Sequence, residues 1–205
     1  QPAAASSDVL FEGTTDTGDV TVPGIPAGST ARGLMQNVDW LPTVAGLCGL
    51  GLPPAWSLDG LDCQALLQGG ASPRQTAHFA CGYQRAIFDG RHKLLTMRFP
   101  ARLQQEMLDG VRTEAANHFD LPRQGQGLIP RRYFPHYWDG DQVYDLQQDP
   151  LETVNRLHDP ACAGLVGDLR RRLAQHLARH PAPYDLGDTA CFADPRYRAL
   201  TRFPD

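Results

Sequence analysis

The stretch from Gln142 to Leu157 constrains the chain more than any other, because it joins a short strand, a forced turn and the approach to a helix. Val143, Tyr144 and Leu146 favour extended backbone. Pro150 fixes its own φ and biases Asp149 away from the helical region, so the strand ends at that pair. Glu152 and Asn155 then supply side-chain acceptors able to hold a loop against its own amides. Asp159 and Pro160 predict the cap and first turn of a helix over 160–179. In it Leu165, Leu169, Leu173 and Leu177 recur every four residues beside Val166 and Ala174, while Arg170, Arg171 and Arg172 mark the solvated side. Such a helix suits the covering of a small antiparallel sheet.

The strands for that sheet lie upstream. From Thr76 to Arg98, Ala77, Phe79 and Cys81 alternate, followed by Ala86 and Phe88 and then Lys93, Leu95 and Met97. Asp89-Gly90 between them predicts a hairpin over 83–98 with a type I′ turn, which needs positive φ at both central residues. Earlier still, Asp39 is read as the N-cap of a helix through Cys48, with Pro42 in its first turn and Gly49 as a left-handed stop. Leu41, Val44, Ala45 and Cys48 would form its apolar face. After the break at Gly51-Leu52-Pro53-Pro54, Leu61 to Leu67 reads as one or two helical turns capped by Asp59 or Asp62. Residues 1–36 offer only Val9–Phe11 and Val20–Val22 as strands, too few to cover the 39–48 helix. Leu41, Val44 and Leu47 are therefore expected to be exposed or covered by another chain. Residues 99–138 form a long inserted loop with a helical start at 101–108, and residues 181–205 read as a terminal arm broken by prolines.

Three of these stretches, taken in order, resemble the sulfatases, sulfuric ester hydrolases of the alkaline phosphatase superfamily. Val143-Tyr144-Asp145-Leu146, Asp149-Pro150, Glu152 and Asn155-Arg156-Leu157 resemble the tail of that family. Val38-Asp39-Trp40-Leu41-Pro42-Thr43 resembles its Val-Asp-x-x-Pro-Thr helix, with Asp59-Gly60 following. Arg85-Ala86-Ile87-Phe88-Asp89-Gly90-Arg91-His92-Lys93-Leu94 resembles its Arg-Ala-x-x-x-Gly-x-x-Lys-Leu hairpin. Pro23 to Gly28 is similar to a Pro-Gly-x-x-x-Gly segment ahead of the helix, whereas Gly13-Thr14-Thr15 is preceded by Glu12 where the family carries lysine. The resemblance implies an α/β, alkaline-phosphatase-like fold, represented by the end of its catalytic domain over residues 1–70 and a C-terminal subdomain over 71–205. The subdomain would hold the antiparallel sheet, the inserted loop 99–138 and the helix 160–179.

It also implies sulfate ester hydrolysis by a formylglycine made from Cys-x-Pro-x-Arg or Ser-x-Pro-x-Arg, with calcium held by aspartates and an amide side chain. The hydrated aldehyde attacks sulfur, and the metal lowers the pKa of that nucleophile. Neither the nucleophile motif nor the metal motif is found in these residues. Ala71-Ser72-Pro73-Arg74 has its proline one place too early, and neither Cys81 nor Cys162 has proline two residues on. No catalytic or metal residue is therefore assigned in this chain; calcium and formylglycine belong to the intact enzyme, and His78, Arg85 and His136 are the candidate substrate-rim residues. The expected partner is the missing N-terminal catalytic portion or a second chain. A phosphonate- or phosphate-ester hydrolase of the same superfamily, and a non-catalytic subunit derived from a sulfatase tail, are the alternatives.

Other constellations favour plain structure. His176 and His180 stand four apart without a third ligand, so a solvated helix face outweighs a metal site. Asp139-Gly140-Asp141 lacks the register of a calcium loop, and Tyr133, Phe134, Tyr137 and Trp138 read as packing under the inserted loop. A formal net charge of −4 and a pI near 5.9 give no general attraction to nucleic acid or anionic membrane. No apolar run has the length of a membrane span. The cysteines at 48, 63, 81, 162 and 191 show no metal or redox spacing and are expected to be mostly buried free thiols, compatible with a cytoplasmic or periplasmic setting.

Overall fold

A computed structural model of the chain describes residues 8–10, 17–19, 24–25, 28–109, 136, 139–180 and 184–200. The chain separates after Ala77 into two compact units.

The first unit begins with a three-stranded sheet in the order β2-β1-β3, formed by β1 (Asp8–Leu10), β2 (Thr17–Asp19) and β3 (Thr30–Ala31). β2 runs antiparallel and β3 parallel to β1. The expected strands thus start earlier in the sequence than the valines suggested, and Phe11 and Val20–Val22 lie outside the described residues. A 3-10 turn (Asn37–Asp39) leads into α1 (Trp40–Leu47) and, after a long irregular stretch, α2 (Gln64–Leu67). Ile25, Ala31, Met35, Cys63, Leu66 and Leu67 make the core, with Trp40 and Leu47 packed on it.

Asp39 stands at the N-cap position of α1 as expected, but it has helical φ and ψ and its side chain makes no cap hydrogen bond to the helix, its carboxylate being taken by the partners described below. The expected apolar face is also rotated, since Pro42, Thr43 and Ala45 are buried while Leu41, Val44 and Cys48 are exposed. The buried Asp39 carboxylate and Thr43 hydroxyl fix the inner face, and a four-residue hydrophobic repeat cannot reveal that. The stop is as expected: Gly49 has φ 66°, the Leu50 amide donates to Ala45 O (2.8 Å) and the Gly49 amide to Gly46 O (3.0 Å), the paired bonds of a Schellman motif. Asp62 accepts the Gln64 amide at 2.8 Å at the entrance of α2.

The second unit is built on a four-stranded sheet in the order β4-β5-β6-β7: Ala77–Cys81, Gln84–Phe88, His92–Met97 and Asp141–Asp145. β5 and β6 form the expected hairpin, with Ile87 opposite Leu94 and Phe88 opposite Lys93. Its turn differs from the expected type. Gly90 (φ 98°) and Arg91 are the central residues, and Gly90 alone has positive φ, as in a type II′ turn. Asp89 precedes the turn and accepts the amides of Arg91 (2.9 Å) and His92 (2.7 Å), so its carboxylate rather than its backbone shapes the reversal.

The Asp159 carboxylate accepts the Ala161 amide at 2.9 Å over a 3-10 turn (Pro160–Cys162), which passes into α4 (Ala163–Leu177). Leu169 and Leu173 of α4 are fully buried on the cross-strand row Ile87, Leu94 and Val143, with Leu165, Val166 and Leu177 at the margin. This row is the face opposite to the one the alternation pointed to. β5 buries Ala86, Ile87 and Phe88 in succession, and a strand covered on both sides carries no parity signal. A second core joins α3 (Ala101–Leu108) to α5 (Ala190–Ala193) and α6 (Pro195–Leu200) through Met97, Phe99, Leu103, Cys191 and Tyr197. Within the segment expected to be a terminal arm, Cys191 and Tyr197 are therefore part of the packed unit.

Candidate functional site

The residues that carry the family resemblance turn out to be knots of structure. Asp39 is fully buried and accepts the amides of Gln36 (2.8 Å) and Leu61 (2.8 Å) and Arg74 Nε (2.7 Å), while Arg74 Nη2 pairs with its other oxygen. Burial alone would raise the Asp39 pKa, but the Arg74 guanidinium and the two amides outweigh it and hold the carboxyl below its usual value. Thr43 Oγ1 donates to Asp39 O (2.6 Å) and accepts the Cys63 amide (2.9 Å), which places α1 against the segment leading into α2. Burial pushes the Cys63 thiol up to about 11. Gly60 closes the same knot: a Cβ there would lie 1.9 Å from Val38 O, so only glycine passes.

The stretch 142–157 is knit in the same manner. Asn155 Oδ1 accepts the amides of Val143 (2.9 Å) and Leu157 (3.0 Å), and its Nδ2 donates to Asp141 O (3.1 Å). Arg91 holds the buried Asp145 carboxylate through Nη2 (2.6 Å) and Nε (3.1 Å), and these bonds bring the Asp145 pKa down to about 2. Lys93 Nζ reaches Glu152 at 2.6 Å, and Glu152 has φ 56°. Asp141 pairs with Arg98 (2.8 Å) and with Arg170 of α4.

The three expected rim residues fall into three separate networks. His78, on β4, stacks on His176 of α4 with ring centroids 3.8 Å apart, and His176 in turn meets His180 at 4.5 Å. His136 Nδ1 lies 2.8 Å from the Asp139 carboxylate. Arg85, on β5, lines a cleft of about 320 Å³ with Tyr83, Phe99, Tyr184, Asp185 and Asp188. Its guanidinium lies 4.8 Å over the Tyr184 ring, and Nη1 donates to Gly82 O (2.9 Å) and Gln84 O (2.7 Å). The Tyr184 hydroxyl is anchored at Thr96 O (2.8 Å). Tyr184, Asp185 and Asp188 were missed from sequence because they come from a proline-marked segment about a hundred residues away. Tyr133, Phe134, Tyr137 and Trp138 of the aromatic cluster lie outside the described residues.

Among the described residues no three His, Cys, Asp or Glu side chains are grouped to hold an ion. The most buried carboxylates, Asp39, Asp141 and Asp145, are all engaged by guanidinium groups. The residues described here do not fit the calcium centre that the family resemblance implies. The five cysteines are free thiols, with Cys63, Cys162 and Cys191 buried and Cys48 and Cys81 exposed. Among the described residues no helix is long and apolar enough to cross a membrane.

No protein-family model matches the sequence. Arylsulfatase A of Homo sapiens is 31% identical over 154 residues, covering 75% of this chain and 28% of that protein. Arylsulfatase A of Bos taurus is 30% identical over 139 residues, covering 66% of this chain and 24% of that protein. A crystal structure of a candidate sulfatase from Bacteroides thetaiotaomicron superposes with a TM-score of 0.51 at 18% identity, over 89% of this chain and 35% of that one, which supports the shared fold. The chain spans about a quarter of the length of the curated relatives it matches. Carrying the three motifs in order on this mixed α/β architecture, the chain is a partial sulfatase homologue, similar to arylsulfatase A over most of its own length.

Proposed function

We propose that this chain acts as the C-terminal part of a sulfatase-like hydrolase that cleaves sulfate esters, with nucleophile and metal ligands on sequence outside these residues. The observation that carries this reading is the apolar surface of the first unit. Val38, Leu41, Val44, Leu50, Trp56, Leu58 and Leu61 are all exposed, with Leu50 at 65% and Trp56 at 54%. Apolar area in water costs about 25 cal/mol per Å². Seven large apolar side chains left in water on one unit are material for an interaction surface, and the part of a longer sulfatase that these residues do not span is the occupant that fits them. Calcium and formylglycine would be supplied by that portion, and Arg85, His78 and His136 would at most border the substrate.

The test has two arms. The purified 205-residue chain should not turn over an aryl sulfate or a phosphonate monoester, with or without calcium. A protein that joins it to an in-frame upstream segment with Cys-x-Pro-x-Arg or Ser-x-Pro-x-Arg and aspartate ligands should hydrolyse one of the two esters and lose activity to a chelator. Chelator-sensitive turnover by the chain alone would overturn the partial-enzyme reading. A joined protein that binds but never hydrolyses would favour a non-catalytic subunit.

A further inference from the structure

The cleft around Arg85 has chemistry that the structural knots elsewhere in the second unit lack: polar groups held in place but not consumed. Arg85 is fixed on three sides, by the carbonyls of Gly82 and Gln84 on Nη1 and by the Tyr184 ring beneath it. Its Nε and Nη2 make no hydrogen bond among the described residues, and that edge is the one that grips an oxyanion with two parallel bonds. A guanidinium already immobilised loses little conformational freedom on binding. Arg98, on the same cleft, offers nothing comparable, because Leu186 O takes its Nε and Nη2 while Gly140 O and Asp141 take Nη1.

Two carboxylates stand on the same cleft. Asp185 Oδ1 accepts the Gly187 amide (2.8 Å) and Asp188 Oδ2 accepts Gln104 Nε2 (2.9 Å), which orients each group and leaves its second oxygen open among the described residues. One guanidinium with its Nε–Nη2 edge open therefore shares about 320 Å³ with two half-committed carboxylates, beside the half-buried Tyr83 ring. Arg85 and Arg98 match Asp185 and Asp188 in number, but Arg98 is spent on Leu186, Gly140 and Asp141, so the two open carboxylate oxygens select an ammonium over a neutral hydroxyl as the second group of a ligand, and the Tyr83 ring favours the same cation.

We propose that this cleft binds a small zwitterion, a molecule with an oxyanion for Arg85 and a primary ammonium for Asp185 and Asp188. An amino acid and a phosphorylated amino sugar share that chemistry. The site needs no nucleophile, so its test is independent of the hydrolase reading.

The 205-residue chain would be titrated by amide NMR with 4-aminobutanoate against butanoate and butylammonium, and with glucosamine 6-phosphate against glucose 6-phosphate. At least one zwitterion should bind with a Kd about tenfold or more below those of its single-charge counterparts, shifting the amides of Gly82, Tyr83 and Asp188. Which pair shows the difference identifies the source. R85Q should abolish the difference, and D185N, at an exposed position whose turn asparagine can still close, should weaken it about tenfold. The proposal is overturned if the single-charge analogues bind as tightly as the zwitterions, if neither zwitterion shifts these amides at about 10 mM, or if the folded D185N chain binds as the parent does.

Discussion

The described residues of 78–205 bury the apolar side chains of their sheet and helices against one another and leave Leu151 and Val154 as their exposed large hydrophobics; the described residues of 1–77 leave seven in solvent. Both units use the same device, a buried aspartate gripped by an arginine: Asp39 with Arg74 in the first, Asp141 with Arg98 in the second. They differ in what surrounds it. In the second unit Leu169 and Leu173 close one side of the sheet. In the first, the ion pair lies on the inner face of α1 and the outer face stays apolar and uncovered. An internally satisfied polar network is thus compatible with an unfinished surface, and the two have to be perturbed separately.

The largest expected effect is on the polar knot of the first unit. Arg74→Ala leaves Asp39 buried without its cation, which should destabilise that unit by about 3–5 kcal/mol. Hydrogen exchange at the Leu61 and Cys63 amides should accelerate together, with β5 to β7 unchanged. Unaltered protection at those two amides would remove the ion pair from the account of the first unit. Leu169→Ala is the matching test of the second unit, at about 2–5 kcal/mol by loss of a fully buried side chain. Its signature is earlier melting of the β5–β7 amides, and a melting curve equal to the parent's would show that α4 does not hold the sheet.

These two sites differ in how legible they were. The helix carrying Leu169 follows from a leucine every fourth residue and an aspartate–proline start, both local signals. Arg74 stands 35 residues from Asp39 inside a Ser-Pro-Arg run noticed only for having the wrong spacing for a nucleophile, and no periodicity connects them. The same holds for the cleft. Arg85 was visible as part of a motif, but Tyr184, Asp185 and Asp188 reach it through tertiary packing of a segment whose prolines suggested an arm. Local turn chemistry placed Gly49 correctly. At Gly90 it gave the right residue and the wrong turn type, because Asp89 contributes its carboxylate instead of a left-handed backbone.

A third test uses pH within the second unit. Arg91 brings the Asp145 pKa down to about 2, below the usual unfolded value of about 3.9. The charged group therefore contributes stability that is fully present above about pH 4 and is lost as pH falls toward 2. Asp145→Asn should lower stability at neutral pH and flatten the acid limb of the β7 amide signals. The Asp39 knot, whose carboxyl is also held low, should keep its own acid limb in the same variant. An Asp145→Asn protein with the parental acid limb in β7 would mean that another group controls that strand.

The smallest expected effect separates the two units most sharply. Leu41 and Val44 sit on the outer side of α1, about half exposed at 49% and 47%. Their replacement by serine removes apolar area of which folding of this chain hides only about half. Leu41→Ser and Val44→Ser should therefore cost about 1 kcal/mol or less each, below the cost of Leu169→Ala. Binding of a hydrophobic dye, and any self-association detected by sedimentation, should fall in the double variant, because both report the uncovered patch rather than the core. A loss of stability on the scale of a core substitution would show that α1 is covered within this chain, and the contrast between the units would disappear. Unchanged stability with unchanged dye binding would move the adhesive surface to the Trp56–Leu61 segment, which the same pair of measurements on Trp56→Ser would then locate.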